Sequence, residues 1–156
     1  MKSLINEDRV RRQTVSGINE RIDREIEREA LSYSGQSVEA ISQKITDLNK
    51  EWDMERTLET NASILALTGV CFGFFLNRKW LFLPMAVLGF LLQHAIEGWC
   101  PPVPVFRRLG VRTRQEIDQE IYALKGLRGD FDNIPDEKPA TTRKAQVILE
   151  SVKKGS

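Results

Sequence analysis

ASILALTGVCFGFFLNRKWLFLPMAVLGFLLQHAIEGW, residues 62–99, is the stretch whose reading decides the fold. Ala62 to Leu76 is a run of 15 residues without a charge, and Trp80 to Ile96 is broken only by Pro84, Gln93 and His94. Asn77, Arg78 and Lys79 separate the two runs. Both are apolar on every helical face, which a surface helix is not. Trp80 and Trp99 stand at segment ends, where interfacial aromatics belong, and Arg56, Arg107, Arg108, Arg112 and Arg114 crowd the outer flanks. The pattern predicts a two-helix hairpin in a bilayer. At 1.5 Å per residue the first run spans only about 22 Å against a hydrocarbon core of about 30 Å, so it has to extend back through Leu58 or thin the membrane. A buried soluble helical hairpin is the competing reading.

Charge is segregated around this stretch. Residues 60–99 hold only Arg78, Lys79 and Glu97, whereas residues 1–59 carry 10 Lys and Arg against 13 Asp and Glu, and residues 100–156 carry 11 against 8. Positive-inside counting over the longer flanks predicts both ends on the cytoplasmic side of a bacterial inner membrane, with the turn outside. The first 20 residues lack the apolar core of a signal peptide, which agrees with a cytoplasmic N-terminus. A net charge of +1, with no stripe of basic and aromatic residues, argues against a nucleic-acid partner. Two cysteines, Cys71 and Cys100, are too few for a disulfide scaffold.

Outside the hairpin the periodicity is helical. Val15, Ile18, Ile22, Ile26 and Ala30 form one stripe, and turn-forming residues from Ser32 to Ser37 end it. Ser37 reads as an N-cap for a second helix, whose Val38, Ile41, Ile45, Leu48 and Trp52 keep an a/d-like, coiled-coil spacing. That seam suits an antiparallel pair with the preceding helix or a contact between subunits. After Pro101, Pro102 and Pro104 end the second apolar segment, Thr113-Arg-Gln-Glu116 has the form of a capping box. Ile117, Ile121, Leu124 and Leu127 then mark a buried stripe that Gly126 and Gly129 terminate. The tail reads as loosely ordered, with a short helix through Ala145, Ile148, Leu149 and Val152.

Few residues invite chemistry. Ala62, Ala66, Gly69 and Gly73 lie on one stripe, and small residues of this kind let helices approach closely, here through Ala86 and Gly89 of the second segment or through another subunit. His94, Glu97 and Cys100 follow at three-residue steps on one side of a helix end, a set of thiol and ligand types too small to close a metal site alone. The alternative is that Glu97 and His94 pair with each other or with Arg107 or Arg108. Cys100, near that basic pair, is a candidate reactive thiolate or simply a buried thiol. A single histidine and the lack of a nucleophile elbow, phosphate loop or dinucleotide fingerprint leave no catalytic constellation, and no cofactor is implied.

At Gln93-His-Ala-Ile-Glu-Gly-Trp-Cys-Pro-Pro-Val-Pro-Val-Phe-Arg-Arg-Leu-Gly110 the chain resembles the YgaP-type transmembrane domain family, through Gln93, Gly98, Cys100, Pro101, Leu109 and Gly110, with Glu55-Arg56 ahead of the first segment. The resemblance covers roughly residues 52–112 and implies a short bacterial membrane hairpin. Glu59 stands where that pattern has a basic residue, and Glu97 where it has a small or neutral one. Members joined to a rhodanese module accompany sulfur transfer. The catalytic cysteine loop of a rhodanese is absent from this sequence, so the resemblance carries no sulfurtransferase activity.

The expected fold is therefore all-α: a cytoplasmic helical arm over 1–57, a transmembrane hairpin domain over 58–112, an amphipathic helix over 113–131 and a tail over 132–156. The expected role is a non-enzymatic membrane anchor or accessory subunit that assembles with itself or with a membrane complex, its other partner being the lipid bilayer. The alternative is sulfur or redox handling at Cys100.

Overall fold

A computed structural model describes residues 8–135 and 142–153, and among them the chain is all-helical, with no strand. The helices are α1 (Arg9–Gln13), α2 (Ser16–Ser32), α3 (Val38–Lys50), α4 (Met54–Phe75), α5 (Phe82–Glu97), α6 (Val103–Arg108), α7 (Arg114–Arg128) and α8 (Thr142–Lys153), with a 3₁₀ turn at Arg78–Leu81. They divide into two compact units that do not follow the expected 1–57, 58–112, 113–131 and 132–156 boundaries. One contains the chain up to Ile22 and Trp52–Gln115; the other contains Asp23–Glu51 and the chain from Glu116. The division falls within α2, between Ile22 and Asp23.

In the first unit, α4 starts at Asp53, whose carboxylate accepts the Arg56 N–H at 2.8 Å. With 22 residues it reaches about 33 Å, longer than the apolar run alone, because its first two turns are polar. α4, and α5 taken together with the 3₁₀ turn ahead of it (Arg78–Glu97), are long and apolar enough to cross a membrane by length and composition, each with a mean hydropathy of 1.4 over its most apolar stretch. They pack on each other. Gly69 and Gly73 are the close-approach points: a Cβ at Gly69 would lie 2.5 Å from Pro84 Cδ, and one at Gly73 2.6 Å from Leu81 Cδ2. The expected counterparts Ala86 and Gly89 are exposed, and nothing lies within 4 Å of a Cβ at Gly89. α5 meets the glycines with its first turn and the 3₁₀ turn before it instead, because the connection is too short to bring its middle level with them. Ala62 and Ala66 are half-buried.

At the other end of this pair sits a small core of Val10, Met54, Leu58, Cys100 and Val103, with Phe106 and Val111 against it. The prolines after α5 do more than end it. Gly98, at φ 77°, caps α5 by donating its N–H to His94 O at 2.7 Å, and Pro104 stands in the first turn of the unforeseen α6. Gly98 is also where α1 crosses: a Cβ there would lie 2.5 Å from Arg9 Cβ and 2.6 Å from the Arg9 carbonyl carbon.

In the second unit, Ile41, Ile45 and Leu48 of α3 close against Ile117, Ile121 and Leu124 of α7, with Tyr33 packed alongside. The α3 seam is thus covered by α7, where its spacing had suited the preceding helix or another subunit. Its ends do not belong to it. Val38 is exposed, and Trp52 lies beyond the helix, because Glu51 turns extended and breaks the register before α4. Trp52 stacks under Arg56, 4.5 Å from its guanidinium carbon. Lys44 bridges Glu29 at 2.8 Å and Glu120 at 3.5 Å. Burial alone would lower its pKa, but the hydrogen bond to Glu29 and the charge of Glu120 outweigh it and raise it. Arg128 grips Asp130 at 2.6 Å and Ser42 at 2.9 Å, and Lys125 donates to Val152 O of α8 at 2.6 Å. α8 occupies the part of the tail where a short helix was expected; residues 136–141 and 154–156 lie outside the described part.

Candidate functional site

The polar groups and hollows of the first unit concentrate where the apolar helices meet their polar ends. His94, in the last turn of α5, is 6% exposed, and its Nε2 lies 2.8 Å from a carboxylate oxygen of Glu55 in the first turn of α4. Its Nδ1 is buried without a hydrogen-bond partner. The Arg9 guanidinium donates to Ala95 O next to it. These residues, with Glu59, Leu58 and Leu91, line a cavity of about 430 Å³. Asp8 caps α1 through Val10 N and Arg11 N, and its other oxygen accepts the Thr113 hydroxyl, so the segment before α7 is tied to the start of α1. Arg107, fully buried, donates to Asn19 Oδ1 at 2.8 Å and to Val111 O at 3.1 Å. Arg21 closes the ring with a donor to Arg108 O at 3.1 Å.

A second hollow, of about 240 Å³, is apolar. Leu58, Ala62 and Leu65 of α4, Phe90 of α5, Cys100 and Phe106 are among its walls. Asn61 on the same wall turns its amide to Thr57 O at 2.7 Å.

The expected trio of His94, Glu97 and Cys100 is not gathered. Glu97 is exposed and takes only a long hydrogen bond, 3.5 Å, from Gln93. His94 turns to Glu55 instead, and Arg107 is engaged by Asn19, so neither forms the pairs considered from the sequence. Among the described residues no group of three or more His, Cys, Asp or Glu could hold a metal ion. Cys100 is 3% exposed, and burial raises its pKa above the ordinary 9.0, with Glu55 adding to the rise and the hydrogen bond with the Val103 backbone opposing it. The access and lowered pKa that the neighbouring arginines suggested are absent, because Arg107 points its guanidinium at Asn19 and Val111. Cys71 is exposed on α4.

Sequence reasoning missed Arg9 and Asn19 and did not pair Glu55 with His94. Counting outward from the turn at Asn77 sets the last turn of α5 level with residues 57–60, so Glu59 was the readable carboxylate and Glu55, further back along α4, was not. Chemically, the collar offers an imidazole–carboxylate pair and charge-satisfied arginines but no activated nucleophile beside them. No family model, curated protein or solved structure matches the chain.

Proposed function

We propose that this chain is a non-enzymatic membrane anchor or accessory subunit. In this reading α4 and α5 cross a bacterial inner membrane as a hairpin, and the helices outside it, on the cytoplasmic side, dock to copies of the chain or to a membrane complex. The observation that carries it is exposure. Phe74 is 84% exposed and Phe82 70%, alongside Ile64, Leu67, Met85, Leu88 and Ile96, and no more than 17% of the most apolar stretch of either helix is buried. A core helix of a soluble protein hides such residues; an exposed apolar belt of this length calls for lipid or protein around it. Trp80 and Trp99 at the ends of α5, and the arginines of α6 and α7, fit the interfacial pattern. The collar supports it too, since His94 Nε2 meets the Glu55 carboxylate and the Arg107 guanidinium donates to Asn19 Oδ1 and Val111 O, the kind of partners that polar groups near hydrocarbon need. The proposal includes membership of the YgaP-type family, on Gln93, Gly98, Cys100, Pro101, Leu109 and Gly110.

The test is extraction and protection. The protein should stay in the pellet through alkaline carbonate, and protease outside spheroplasts should spare both ends. Purification in mild detergent followed by mass spectrometry should then bring a partner or further copies. Release as a soluble monomer without detergent overturns the anchor, and a clean monomer in detergent overturns the accessory role. Sulfur or redox handling at Cys100 gains no support from its burial.

A further inference from the structure

We propose that the apolar recess beside Cys100 holds a segment of one membrane-lipid acyl chain; the proposal rests on the membrane reading above. Four observations converge on that occupant. The walls are side chains of α4, α5 and α6, and two of them, Leu65 and Phe90, are also part of the exposed belt, so the recess opens onto the surface that faces lipid. Its α4 wall runs from Leu58 to Leu65, about 10 Å along the helix axis, which in a spanning helix is the direction of the lipid tails. Its wall is hydrocarbon apart from Asn61, whose amide is bonded to Thr57 O, and the Cys100 thiol, whose pKa is raised by burial. A water needs two to four polar partners and would find few here. The volume, about 240 Å³, is too small for a helix of about 10 Å diameter, so a second copy could enter it only with a side chain. A flexible chain of methylenes fits both the size and the direction.

The recess begins at the polar end of α4, so it takes the part of the acyl chain nearest the carboxyl group. The full-length protein in phosphatidylethanolamine and phosphatidylglycerol vesicles, with a trace of phosphatidylcholine carrying a diazirine close to the carboxyl end of one acyl chain, is irradiated and the label mapped by mass spectrometry. Leu65, Phe90 and Phe106 should carry several-fold more label than Leu67 and Leu92, which are exposed at similar depths outside the recess. Ala62→Phe, which fills the recess, should remove that excess and leave Leu67 unchanged. Phe106→Ala, which enlarges it, should keep or raise the label at Leu65, so that a folding defect in the first variant does not decide the matter. Equal labelling inside and outside the recess, or an excess that survives Ala62→Phe, overturns the proposal while leaving the membrane reading in place. Cross-linking of a second copy into the recess also overturns it. Labelling of neither α4 nor α5 overturns both readings.

Discussion

Gly98→Ala should be the most damaging single methyl in the first unit. Two costs add at this position. The backbone sits at φ 77°, a left-handed conformation that costs a residue with a Cβ about 1–2 kcal/mol. The new Cβ would also stand 2.5 Å from Arg9 Cβ and 2.6 Å from the Arg9 carbonyl carbon, so α1 has to move. α1 carries Val10 into the core, 2% exposed, and withdrawing it forfeits up to about 1.5–3 kcal/mol. With partial relaxation the total is about 3–4 kcal/mol, a fall in melting temperature of roughly 10 °C for a chain of this size. Two internal references separate the terms. Gly35→Ala, at φ 82° with nothing within 4 Å, bears the backbone cost alone, about 1–2 kcal/mol, while Gly17→Ala, inside α2 with open space around it, should stabilise by about 0.5–1 kcal/mol. Because Gly35 and Gly98 lie in different units, unfolding in detergent micelles is best followed by hydrogen exchange at the amides of each. If Gly98→Ala and Gly35→Ala cost the same within about 0.5 kcal/mol, α1 is not seated on the end of α5 and the reasoning fails.

Three further outcomes are expected. Gly69→Leu and Gly73→Leu should force α4 and α5 apart and lower the thermal stability of the first unit, whereas Gly89→Leu should not, and helical signal against temperature in micelles compares them. Lys44→Met should destabilise the second unit by about 1–3 kcal/mol at neutral pH by removing the ammonium from Glu120, which is 1% exposed. Since the folded pKa of Lys44 lies above 10.5, its contribution is whole below that pH and is lost as pH rises through the folded value; denaturant titrations of both proteins should therefore converge in strong alkali. In a Cys71→Ser background, Cys100 should resist maleimide at pH 7 to 9 in native membranes and react promptly once denatured, because burial holds the thiol protonated; rapid native labelling would revive the sulfur-handling alternative.

Most of what the amino-acid order determined by itself is local or one-dimensional. A long apolar run with no polar face reads as a helix that calls for cover from water, a Ser or Asp ahead of a periodic segment caps it, and a short basic turn between two such runs leaves them adjacent. Ile41, Ile45 and Leu48 and their counterparts Ile117, Ile121 and Leu124 were legible as buried stripes because helical period is a property of neighbours in sequence. Which stripe covers which was not, since an a/d spacing fits any complementary helix, and only the tertiary fold joined α3 to α7. The same holds for the site. Gly69 and Gly73 were readable as close-approach points, but their facing atoms come from Leu83, Pro84 and Leu81, set by the length of the 3₁₀ turn. His94 was readable as a group needing a partner; Glu55 was chosen over Glu97 because a helix i, i+3 neighbour on an exposed face cannot reach a ring that points inward. Cys100 changed character altogether between the two levels. Beside Arg107 and Arg108 in the chain it resembled an activated thiol, but Arg107 was drawn to Asn19 and Val111 by the demand for hydrogen bonds on a buried guanidinium, and what closed over the sulfur was hydrocarbon.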